Sequence, residues 1–240
     1  MKLEDLNYVI YGNNKKGTIV LLHGWGQNIE MMDMLGHPFE EDYQIIILDL
    51  PGFGKSKEPN ESWSAFDYAD FIHEFLVSKK VDNPILIGHS VGGRISLCYA
   101  SKYNVKKMVL LSAPFRPSQK KKINYKTKIF KIVKKFKLLK PLAEYLKNKW
   151  GSEDYKNASP INRGSLVKII NEDLTEHVKT IKCPVLLIYG SLDADVSINE
   201  AKLLEKLIPD AGLVEYPRAH HYAYLERLNQ TIVILRNFIE

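Results

Sequence analysis

Residues 85–94 read Ile-Leu-Ile-Gly-His-Ser-Val-Gly-Gly-Arg, an apolar run that ends in Gly88-His89-Ser90-Val91-Gly92 and passes into a helical pattern over 91–102. A Gly-x-Ser-x-Gly stretch between a strand and a helix is the sequence form of a sharp turn that presents its serine. Such a turn strains the serine backbone and brings strand and helix close together, so its neighbours must be small. Gly88, Gly92 and Gly93 supply that room, which nominates Ser90 as a nucleophile. The pattern by itself is weak; its position after an apolar run and before a helix makes it specific.

Outward from this turn, residues 18–22, 44–48, 107–111, 185–189 and 213–216 form short aliphatic or β-branched runs bounded by Gly, Pro or polar residues. With 85–87 they predict six strands. Helical spacing over 64–79, 91–102 and 198–207 separates them, and a last helix over about 222–239 closes the chain. Strands that alternate with helices and are apolar throughout predict an α/β fold, a mostly parallel central sheet with helices on both faces. In such sheets reactive groups gather at the carboxyl ends of the strands, where the turn puts Ser90.

With 240 residues, 45% of them apolar and 26% charged, the chain has the composition of an ordinary globular protein able to bury a sizeable core. Cys98 and Cys183 read as buried thiols and not as a disulfide framework. Glu4 and Asp5 fall where a signal peptide needs an apolar stretch, and no run is long enough to span a bilayer, so a soluble cytoplasmic protein is expected. The net charge of +6 is unevenly spread. Residues 116–150 hold 13 bases against Glu144 alone, a charge of +12, and the rest of the chain holds 21 bases against 27 acids, a charge of −6.

The rhythm of strands and helices breaks between 114 and 180, which predicts a core of 1–113 and 181–240 carrying a helical cap at 114–180. At the centre of this insertion, over 123–139, Ile129, Ile132, Val133 and Phe136 recur at helical spacing among lysines, and Pro141 stops the pattern. The lysines read first as the solvated face of a helix whose apolar stripe covers the site. A basic amphipathic helix is also suited to contact with an anionic lipid or membrane surface, or to steering an acidic substrate. The predicted fold points elsewhere, so no nucleic-acid partner is expected.

A serine hydroxyl is a poor nucleophile at neutral pH and needs a histidine base oriented by a third group, usually a carboxylate. Asp193 and Asp195 follow the run at 185–189, and His220 and His221 follow the run at 213–216. The order Ser, Asp, His is therefore available, with either acid and either histidine. Gly52-Phe53-Gly54-Lys55-Ser56 is not a phosphate-binding loop, because the first glycine that loop requires is replaced by Asp49. No spacing of Cys, His or acids suggests a metal, and no organic cofactor is implied.

Five signatures together resemble the α/β-hydrolase superfamily over nearly the whole chain: His23-Gly24-Trp25-Gly26, Asp49-Leu50-Pro51-Gly52-Phe53-Gly54-Lys55-Ser56, the turn at Ser90, Gly190-x-x-Asp193, and His221 followed by Glu226. The resemblance implies a triad of Ser90, Asp193 and His221, since the family acid lies three residues after a strand-ending glycine and the family histidine five before a glutamate. It departs from the pattern in having His220 where the histidine is usually preceded by glycine. It further implies an oxyanion hole from the backbone N–H groups of Trp25 and Val91. His23, Gly24, Phe53 and His89 become pocket or loop candidates, with His23 bracing its loop. The expected activity is hydrolysis of a small-molecule carboxylic ester through an acyl-enzyme on Ser90. Thioesterases, carbon–carbon bond hydrolases and menaquinone-pathway lyases share the fold, and the last share the Gly-Gly-Arg that ends at Arg94. A reading of another class is a non-enzymatic small-molecule receptor or membrane-interaction module.

Overall fold

In the computed structural model, which describes residues 1–117 and 158–240, seven strands make one sheet in the order β1-β3-β2-β4-β5-β6-β7. These are β1 (Tyr8–Gly12), β2 (Thr18–Leu22), β3 (Gln44–Leu48), β4 (Ile85–His89), β5 (Lys107–Leu111), β6 (Val185–Gly190) and β7 (Ala211–Tyr216). All neighbours pair in parallel except β1, which runs antiparallel to β3. The six predicted strands form, β4 continuing to His89, β6 to Gly190 and β7 beginning at Ala211. The seventh, β1, is an edge strand with no fully buried residue, so it lacks the apolar density that marks the others. Its Tyr-Val-Ile-Tyr run is the β-branched and aromatic signal that identifies it.

The helices are α1 (Glu30–Gly36), α2 (Ala65–Ser78), α3 (Val91–Ala100), α4 (Pro160–Asn171), α5 (Thr175–Val178), α6 (Ile198–Leu207), α7 (Ala223–Glu226) and α8 (Leu228–Ile239). Their starts follow local chemistry. Ser64 accepts the Asp67 N–H while the Asp67 carboxylate accepts the Ser64 N–H at 2.7 Å, a capping box that begins α2. Ser197 caps α6 by accepting the Glu200 N–H, and Ser159 caps α4, with Pro160 in its first position. The predicted last helix is broken into α7 and α8 at Arg227, whose dihedrals (φ −128°, ψ 42°) leave the helical region.

Because strand side chains alternate between faces, each central strand feeds two cores. Val20, Leu22, Ile46, Leu48, Leu86, Met108, Leu110 and Leu187 pack with α2, α3 and α6 on one face. Ile19, Leu21, Ile45, Ile47, Ile85, Ile87, Val109, Leu111 and Ile188 pack with α1 and α8 on the other. The predicted helix at 123–139 and most of the lysine-rich segment lie outside the described residues. Of the span expected as a cap, α4 is laid on the loops before α2: Asn162 donates to the Gly52 carbonyl at 2.9 Å and Ser165 accepts the Trp63 N–H at 2.8 Å. Leu174, Val178 and Ile181 enter the core beside α3 and α6. Both cysteines are free and buried. Among the described residues no helix is long and apolar enough to cross a membrane.

A tight backbone constraint is the crossing of α3 over β2 and β4. A Cβ on Gly92 would stand 2.2 Å from the Leu22 carbonyl oxygen and 2.6 Å from that of His23, both backbone atoms that cannot swing away. Gly92→Ala is therefore expected to cost about 1–3 kcal/mol of stability through over-packing. Thermal melting beside the parent protein checks this; an unchanged Tm refutes the tight crossing.

Candidate active site

Ser90 ends β4 and opens α3 with φ 50° and ψ −113°, a positive φ that side-chain-bearing residues seldom adopt. Two backbone hydrogen bonds hold it there: its N–H donates to the Leu111 carbonyl at 2.9 Å, and its carbonyl accepts the Arg94 N–H at 3.0 Å. The side chain is thereby lifted out of the sheet at the carboxyl ends of the strands. It meets His221, whose Nε2 lies 3.0 Å from Ser90 Oγ and whose Nδ1 lies 2.8 Å from Asp193 Oδ2. Asp193 is fixed in turn by two backbone donors on its other oxygen, Asp195 N at 2.8 Å and Val196 N at 2.9 Å. With Nδ1–H donating to the carboxylate, the Nε2 lone pair faces the serine hydroxyl.

The neighbouring acid and histidine occupy other places. Asp195 is exposed at the rim of the cavity. The His220 side chain is 65% exposed and stands 3.6 Å from Glu226, against 16% exposure for His221. Glu226 also accepts the His220 N–H at 2.8 Å, which ties the histidine loop to α7. Asp193, Asp195 and His221 are the one group among the described residues whose ligand atoms lie close enough together, within 4.8 Å, to hold a metal ion. A cation there would have to displace the bond between His221 and Asp193.

Burial raises the Asp193 carboxyl, but the hydrogen bonds from His221 and from the Val196 and Asp195 amides outweigh it and leave the group below the usual carboxylate range. His89 is pushed the other way by burial, down to about 3, and is neutral. Its ring sits between Gln27 Oε1 and the His221 carbonyl, each 3.2 Å away, and a neutral imidazole donates to one of them at a time. His23, fully buried, donates from Nδ1 to the Gly24 carbonyl at 2.7 Å and accepts the Leu50 N–H on Nε2 at 2.9 Å, so it braces one loop against another.

Asp49, which opens one of the five signatures and breaks the phosphate-loop pattern, organises these loops. Its carboxylate accepts from Ile29 N at 2.8 Å, Lys55 N at 2.8 Å and Asn7 Nδ2 at 2.7 Å. Gln27 accepts the Gly24 N–H at 2.8 Å and so fixes the turn that carries Trp25.

A cavity of about 410 Å³ opens above Ser90, with Trp25, Val91, Leu166, Ile170 and His221 among the residues that line it. Gly24 and His89 also line it. Phe53, a pocket or loop candidate from the resemblance, is not part of this lining. It lies edge-on behind Trp25, with ring centroids 4.7 Å apart, because its loop is pulled down by Asp49. Larger clefts of about 540 and 450 Å³ lie at the amino ends of the strands and contain none of the triad candidates.

Because Asp193 is lowered on folding, its ionisation stabilises the native state above its unfolded value near 3.8, and that contribution is lost as pH falls through the lower native value. Asp193→Asn is therefore expected to lower stability at neutral pH and to narrow its gap from the parent below pH of about 4. Urea melts across the acid range test this, and a gap independent of pH contradicts it.

The comparisons with known proteins agree with this architecture. A family model described as the alpha/beta hydrolase fold matches residues 17–141. The chain is 28% identical over 251 residues to Lipase 1 of Psychrobacter immobilis, covering 95% of this chain and 78% of that protein. It is 25% identical over 237 residues to a pimeloyl-[acyl-carrier protein] methyl ester esterase of Legionella pneumophila (strain Paris), covering 92% and 95%. Among solved structures it is similar to a lipase-esterase related protein from Clostridium acetobutylicum ATCC 824, with a TM-score of 0.73, 27% identity, and coverage of 97% and 99%. With the family match spanning more than half of its length and the parallel sheet and strained serine turn in place, the chain belongs to the alpha/beta hydrolase fold family.

Proposed function

We propose that the protein is a serine hydrolase that cleaves a small-molecule carboxylic ester through an acyl-enzyme on Ser90. The observation that carries the reading is the unbroken hydrogen-bond run from Asp193 through His221 to Ser90 Oγ, at the floor of a cavity. In this mechanism His221 Nε2 takes the Ser90 proton as Oγ attacks the ester carbonyl, and the ionised Asp193 stabilises the imidazolium that forms. The carbonyl oxygen gains the negative charge. The N–H of Val91, which the first turn of α3 does not use internally, and the N–H of Trp25 are the donors for it.

Collapse of the tetrahedral intermediate expels the alcohol, which leaves with the proton carried on His221. Water then enters, His221 takes its proton, and attack on the acyl-enzyme releases the carboxylic acid and restores Ser90. Similarity to a lipase and to a methyl ester esterase supports an ester as the bond broken. His23, Gln27 and His89 position the loops in this scheme and exchange no proton with substrate.

Hydrolysis of p-nitrophenyl esters of increasing acyl length tests the assignment. Ser90→Ala and His221→Ala are each expected to lower kcat by about a thousandfold or more, with Asp193→Asn close behind. His220→Ala is expected to stay within about threefold of the parent, as an exposed side chain outside the site. Parent-like turnover by Ser90→Ala would sink the proposal.

A further inference from the structure

The Gln27 amide is held by its oxygen alone. Oε1 accepts the Gly24 N–H at 2.8 Å and lies 3.2 Å from His89 Nδ1. This fixes the orientation of the amide, since an NH2 group in that place would meet the Gly24 donor head-on. Nε2 makes no hydrogen bond with any described residue and is not among their enclosed unpartnered atoms, so it is open. Gln27 is half-buried and lines the cavity above Ser90. Its acceptor is spent on the scaffold, and its donor is left to the cavity.

The arrangement has no slack. A Cβ on Gly24 would stand 2.8 Å from His89 Nδ1 and 3.0 Å from Gln27 Oε1, so both side chains are pressed against the backbone of the turn. Closing that turn needs only Oε1, and the NH2 group is surplus to it. The reaction itself says which part of a substrate this donor meets. His221 Nε2 hands its proton to the leaving oxygen, so the alcohol must lie on the His221 side of the cavity. Gln27 stands on that side. It contacts His89, whose ring centroid is 5.0 Å from those of both His221 and Tyr222 and whose Nε2 lies 3.2 Å from the His221 carbonyl. Tyr222 lines the cavity as well. Burial keeps His89 neutral, so the wall made by Gln27, His89 and Tyr222 carries no charge and suits a neutral oxygen rather than an ion.

We propose that Gln27 Nε2 is a specificity-determining donor for the leaving alcohol, so that the preferred substrates are esters of alcohols with a second neutral oxygen close to the ester, as in the monoesters of glycols and glycerol. This inference rests on the ester-hydrolase reading above. The amide donates a hydrogen bond to that oxygen and transfers no proton. An alcohol lacking it leaves Nε2 to water, so the discrimination is that of one net hydrogen bond, about fivefold.

The test measures kcat/KM for methoxyethyl butyrate against butyl butyrate and for hydroxyethyl butyrate against propyl butyrate, pairs matched in length. Each ratio is divided by the ratio of alkaline hydrolysis rates, which removes the difference in leaving group. The parent is expected to favour each oxygenated ester by about fivefold. Gln27→Glu keeps an acceptor for the Gly24 N–H and replaces the donor with a carboxylate oxygen. It is expected to lose the preference for the ether, which only accepts, and to keep that for the hydroxyl, which donates to the carboxylate. A residue that merely closed the turn would change all rates and neither ratio. Gln27→Met is expected to bring both ratios near one. Butyl γ-methoxybutyrate against butyl hexanoate moves the ether to the acyl side and is expected to show no preference. Parent ratios near one, an ether preference that survives in Gln27→Glu, or a preference confined to the acyl-side ether overturns the assignment and leaves ester hydrolysis standing. No turnover of any of these esters by the parent removes the ester reading and the subsite with it. Each ratio is taken within one protein, so partial unfolding of a variant does not alter it, and if neither variant folds the parent's alcohol-side and acyl-side ratios decide.

Discussion

The close crossing of β4 and α3 at Ser90 is the constraint on which the rest of the site depends. A serine held at φ 50° is maintained only because the surrounding structure leaves it no alternative, and the backbone bonds to Leu111 and from Arg94 provide that restraint. Gly88, Gly92 and Gly93 allow the approach, since a Cβ on any of them would collide with neighbouring atoms. The same crossing lifts Oγ clear of the sheet and sets the first turn of α3 against the cavity. A looser turn would lose both together.

Around this turn, loops from separate parts of the sequence are joined by a small set of buried polar groups. Asp49 gathers amides from the segments at Asn7, Ile29 and Lys55, His23 links its own loop to Leu50, and Gln27 and His89 connect the Trp25 turn to the backbone of His221. Loops are ordinarily the variable and mobile parts of a fold. Here their backbone groups are tied to buried side chains. His89 and His23 are neutral because their charged forms are penalised, and Asp193 is ionised because its donors outweigh its burial. Environment divides the roles among similar side chains: one histidine faces the serine, and two others hold the scaffold that orients it.

The α/β class, six of the seven strands and the start of α2 were legible in sequence because they depend on local patterns: short apolar runs, helical spacing and a capping box. The edge strand β1 escaped because half-exposed strands carry little apolar signal, and the break at Arg227 escaped because the amphipathic pattern continues through it. Ser90 could be nominated because strand, glycine-flanked serine and helix are contiguous. The bracing role of Asp49 has no contiguous signature, since its donors come from three separate segments.

By itself, then, the sequence determined which segments become strands and helices, where the strained serine stands, and that acids and histidines follow the sixth and seventh strands. Only the tertiary structure decided which member of each pair joins the serine: His221 meets its hydroxyl and Asp193 holds His221, while Asp195 and His220 face solvent. It likewise set Phe53 edge-on against Trp25 and outside the lining of the cavity. The physical reason is one of range. Backbone propensity and periodicity act over a few neighbouring residues and leave a mark in the sequence, whereas hydrogen bonding and burial act across space, between residues that only the completed fold brings together.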